Sequence, residues 1–76
     1  MNNSRRKRIN QSLLSLKGAQ DRMKKALEEE KTALARIPDT EENETKREAI
    51  DEIISGLDDA LTSLDDAIGT LESADF

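Results

Sequence analysis

The sequence predicts an all-α protein: a two-helix antiparallel hairpin, coiled-coil-like, that dimerises into a four-helix bundle. Three observations lead there. Apolar residues recur at alternating steps of three and four through most of the chain, a lone proline stands at the midpoint, and the 76 residues contain no Trp, Tyr or Cys and a single Phe. A helical period interrupted by one breaker makes two rods, and a chain this poor in aromatic strand formers and rich in Ala, Leu, Glu, Asp and Lys does not build sheet.

The first helix is expected over about residues 4–37. Ile9, Leu13, Leu16, Gln20, Met23, Leu27, Glu30, Leu34 and Ile37 follow one another at steps of four and three, which is the a/d seam of a helix lying lengthwise on a partner. Ser12, Ala19, Ala26 and Ala33 run beside that seam every seven residues, small enough to let a neighbouring backbone come close. Gln20 and Glu30 place polar groups on the seam, a device that can fix register at some cost in stability, or, for Glu30, a sign that the seam reaches solvent near the turn.

Pro38 ends this helix, because it disfavours helical geometry at Ile37 and has no N–H to donate. A turn is expected over 37–40. Asp39-Thr40-Glu41-Glu42 resembles a capping box that would start the second helix near residue 40, and Asn43 is a later candidate for the same role.

The second helix is expected over about 40–74. Between Gly56 and Phe76 the chain repeats every seven residues, apolar positions alternating with paired acids. Ile50, Leu57, Leu64 and Leu71 share one heptad position, Ile53, Ala60, Ala67 and Ala74 a second, and Ile54, Leu61 and Ile68 a third. A stripe three positions wide exceeds what one partner helix covers. Ile54, Leu61 and Ile68 are therefore expected to form the exposed strip through which two hairpins pair, or on which another protein sits.

Size supports assembly. A domain of 76 residues has a thin core, and without cysteine or histidine it has neither a disulfide nor a structural zinc to reinforce it. Oligomerisation is the remaining means. Charge is segregated too: residues 1–38 carry ten Lys/Arg against four acids, and residues 39–76 carry two against thirteen. Folding the hairpin lays the basic half beside the acidic half, which favours antiparallel pairing.

The chemistry is sparse. With no His, Cys or Tyr, no phosphate-binding glycine loop and no cleft that two helices could enclose, the expectation is a protein that is not an enzyme and uses no cofactor or metal. No apolar run is long enough to span a membrane, and residues 1–8 lack the hydrophobic segment of a secretory signal, so a cytoplasmic location is expected. Two charged features stand out. Asp58, Asp59, Asp65, Asp66 and Glu72 form a ladder that could imitate a nucleic-acid backbone and occupy the cleft of a nuclease, or could simply keep the surface solvated. Arg5, Arg6, Lys7 and Arg8 could contact phosphates, or neutralise the acidic end of the second helix. The absence of an aromatic residue beside this cluster for base stacking and a net charge of −5 argue against nucleic acid as the main ligand. Binding to a partner protein, or to itself, remains the expected function.

The basic N-terminus, the Glu28-Glu29-Glu30 end of the first helix, the Ile37-Pro38 turn and the Leu-Asp-Asp-Ala heptads resemble, over most of the chain, small uncharacterised helical-hairpin proteins of phages and conjugative elements in gut Firmicutes. That group has no assigned activity, so no functional residues carry over. The resemblance implies a mobile-element accessory protein that binds a host or phage protein.

Overall fold

The computed structural model describes residues 3–74. Helix α1 runs Asn3–Arg36, a 3₁₀ turn covers Glu41–Asn43, and helix α2 runs Glu44–Ser73. The two helices fold back into a rod of 60 × 15 × 14 Å. This is the predicted all-α hairpin. The Asp75-Phe76 end of the third heptad, and Met1 and Asn2 of the basic N-terminus, lie outside the described residues.

Register is set by contacts far apart in sequence. Lys17 Nζ meets Glu72 Oε2 at 2.8 Å, and Gln20 Nε2 donates to Asp65 Oδ1 at 3.1 Å. At the other end Arg47 returns to the last carbonyls of α1. Between these points, residues of both seams are buried or half-buried: on α1 from Ile9 to Ile37 at every expected position, and on α2 Ile50, Ile54, Leu57, Leu61, Leu64, Ile68 and Leu71. Leu27 at 7% exposure and Ile68 at 5% are the two residues classed as buried among those described. The core is one layer of side chains between two cylinders, and each cylinder covers only one side of it.

The turn is built from side chains. Pro38 stops α1, whose last four carbonyls have no helical partner. Leu34 O accepts from the N–H of Ile37 at 3.2 Å and also from Arg47 Nη1 at 3.3 Å, and the same Nη1 donates at 2.6 Å to Ile37 O just past the helix, while Arg47 Nε lies 3.8 Å from Asp39 Oδ1. A cation there also complements the negative end of the helix dipole. Asn43 Nδ2 donates to Pro38 O and Thr40 Oγ1, at 3.2 and 3.1 Å.

The expected capping box does not form. α2 starts at Glu44 with Asn43, the later candidate, in the N-cap position, although neither Thr40 nor Asn43 makes a side-chain cap hydrogen bond. The 3₁₀ turn removes the need for one. It feeds directly into α2, so that the N–H of Asn43 donates to Thr40 O and that of Glu44 to Glu41 O, and Asn43 spends its amide on the turn instead.

Candidate functional site

The exposed strip expected on α2 is not where the sequence pattern suggested. Ile68 is buried and Ile54 and Leu61 are half-buried, all within the hairpin's own seam. The row left outside is Ile53, Ala60, Ala67 and Ala74, each exposed, with Ile53 at 49%. Either row could have joined Ile50, Leu57, Leu64 and Leu71 in facing α1, since one lies three residues on and the other four. The row of Ile and Leu wins because burying branched side chains instead of alanines gains about 0.8 kcal/mol for each additional methylene removed from water.

This choice makes the two flanks of the hairpin chemically different. Because the helices run in opposite directions, the same edge of each seam falls on the same side of the rod. On one side stands the row Lys17, Lys24, Lys31 of α1 opposite Asp51, Asp58, Asp65, Glu72 of α2, with Lys17–Glu72 paired and Lys24, Asp58 and Asp65 lining one shallow groove with Gln20 and Leu61. That flank sets cations of α1 opposite carboxylates of α2.

The other flank carries Ser12, Ala19, Ala26 and Ala33 of α1 opposite Ile53, Ala60 and Ala67 of α2. Next to it on α2 come Ala49, Gly56, Ser63 and Thr70, all exposed. Together the helical members form a second seam, Ala49, Ile53, Gly56, Ala60, Ser63, Ala67, Thr70, at steps of four and three and without a charge; Ala74, next in the spacing, lies past the end of α2 in extended backbone and lines a groove with Arg6, Leu13 and Glu72 instead. A Cβ added at Gly56 would meet nothing within 4 Å, so the hairpin itself does not require glycine there. At the open end the same flank becomes a groove of about 460 Å³ lined by Arg5, Arg8, Ile9, Ser12 and Leu71. The spacing of this second seam was present in the sequence, but its residues are small and it became visible only when the larger row was assigned to the interior.

The acidic ladder is divided. Successive residues of a helix point about 100° apart, so Asp58-Asp59 and Asp65-Asp66 cannot share a face. Asp65 accepts from Gln20 and Glu72 pairs with Lys17, both facing α1, while Asp59 and Asp66 lie on the outer row with Glu52. A single ladder of five carboxylates directed at a nuclease cleft is therefore corrected to a row facing α1 and an outer row.

The basic cluster is exposed throughout and also wraps around its helix. Arg5 and Arg8 border the groove on the uncharged flank, whereas Arg6 lies with Asn10, Leu13 and Glu72. The structure does not gather Arg5, Arg6, Lys7 and Arg8 into one phosphate-facing patch. Among the described residues no group of three or more acids is placed to hold a metal ion, and no helix is long and apolar enough to cross a membrane.

Comparison with protein-family models, with curated proteins and with solved structures finds no match.

Proposed function

We propose that this hairpin is a non-enzymatic protein-interaction factor that lays its uncharged flank against a helical surface of a partner. One observation carries the proposal: of two flanks built on the same register, one sets a row of Lys opposite a row of Asp/Glu, with Lys17 and Glu72 paired, and the other is free of charge along α2 from Ala49 to Thr70. Two-helix rods kept only for solubility would be charged on both flanks. Small side chains set in 4-3 order allow another helix to approach closely and interdigitate. Binding then proceeds by burial of surface. The mobile-element setting implied by the resemblance suits a factor of this kind.

Site-specific photo-crosslinking in the producing cell tests the proposal. A short diazirine amino acid replacing Ala60 should give covalent protein adducts, and the same residue replacing Thr62, which lines the ionic flank, should give few. Absence of adducts from position 60, or equal yields from both positions, overturns it.

A further inference from the structure

We propose that the partner on the uncharged flank is a second copy of this chain, arranged with both turns at the same end of a four-helix bundle. This rests on the reading of that flank as an interaction surface and names its occupant.

The edges of the flank select the occupant. Along α1 it is bordered by Arg8, Arg22 and Arg36, with Glu29 among them, and along α2 by Glu52, Asp59 and Asp66, all exposed. One face thus carries a mainly cationic edge and an anionic edge on opposite long sides. Such a face is self-complementary, as a two-fold interface requires.

Two hairpins can stack face to face in two symmetric ways. With the two-fold axis across the rod, α1 lies on α1 and α2 on α2, the turns fall at opposite ends, and like edges meet. With the axis along the rod, each α1 lies on the partner's α2, the turns fall at the same end, and the arginine edge of each copy meets the carboxylate edge of the other. Like-charge edges in contact disfavour the first arrangement. In the second, every neighbouring pair of helices is antiparallel and oppositely charged.

The rod as a whole leaves more surface in water than a compact protein of its mass. A compact protein of 8.5 kDa exposes about 4,700 Å² by the usual scaling of area with mass, whereas the hairpin exposes 5789 Å². The excess, about 1,100 Å² per chain, is larger than the roughly 800 Å² that each partner contributes to a standard stable interface. Half-exposed Ile53 adds a large apolar side chain to the face.

The cysteine-free chain permits a direct test with the full-length protein. Sedimentation equilibrium gives the mass, and a spin label on Glu41→Cys, an exposed position in the turn, gives the distance between the two turns. A species of twice 8.5 kDa with labels closer than about 30 Å supports the proposal, since neighbouring helix axes in a bundle lie about 8–10 Å apart. A dimer whose labels stand near the 60 Å length of the rod overturns the arrangement. A helical monomer at about 100 μM overturns self-association; the interaction-surface reading then still stands if position 60 crosslinks to a different protein in the cell, and falls with it if no adduct forms. Ala60→Glu with Ala67→Glu should raise the dimer dissociation constant more than about tenfold by burying charge at the contact, with helicity retained. An unchanged constant refutes the assigned face. Arg22→Glu should weaken the dimer, and Asp59→Lys with Asp66→Lys in the same chain should restore it.

Discussion

Arg47 closes two things at once, the polar end of the α2 seam and the carbonyl end of α1. Its hydrogen bonds to Ile37 O and Leu34 O are charge-assisted and half-buried, so Arg47→Met should lower stability by about 1–2 kcal/mol, read as a shift of the urea midpoint without loss of slope. Lys46→Met, one residue away and exposed, serves as the control and should leave the midpoint within about 0.5 kcal/mol. The role of Arg47 was not legible in the sequence. An arginine following acids in the first turns of a helix looks like surface charge until the turn brings it back onto α1. Gly69 is a simpler case. Nothing lies within 4 Å of a Cβ placed there and α2 continues through it to Ser73, so Gly69→Ala should stabilise the helix by about 0.5–1 kcal/mol, measured by thermal unfolding.

At the scale of the element, α1 was readable almost to the residue, expected over 4–37 and found over Asn3–Arg36, because a 4-3 seam and a proline leave little freedom. The start of α2 was harder, since a 3₁₀ turn can satisfy the same N–H groups that a capping box would. Harder still was the rotation of α2 about its axis. Ile53 and Ile54 stand on either side of the line through Ile50 and Leu57, and only the partner helix decides which of them is covered. The consequence is measurable. Leu27→Ala and Ile68→Ala should each cost about 2–4 kcal/mol, enough to unfold a marginal hairpin, whereas Leu14→Ala, at a position 69% exposed, should change stability by less than about 0.5 kcal/mol. Equal effects at Ile68 and Leu14 in denaturant titrations would place Ile68 outside the core. The Lys17–Glu72 pair, with side chains 44% and 48% exposed, contributes only about 0.2–1 kcal/mol, and Lys17→Ala should lose that amount at low salt and little in 1 M salt.

For the whole molecule, a rod 60 Å long and about 15 Å thick has almost no residue far from solvent, so its stability as a lone hairpin is slight. If the uncharged flank is covered by a second copy, the melting temperature should rise with protein concentration over a hundredfold range, as mass action requires of a folded dimer. A melting temperature independent of concentration would mark the hairpin as self-sufficient. The all-α class, the two arms and the place of the bend were determined by the sequence alone, because helical period and proline act locally and tolerate no other solution. Which apolar row turned inward, which carboxylates met lysines and which flank was left without charge were decided only by the tertiary structure. The physical reason is that a helix offers its side chains in all directions with equal ease, and only the position of its neighbour determines which of them leave water.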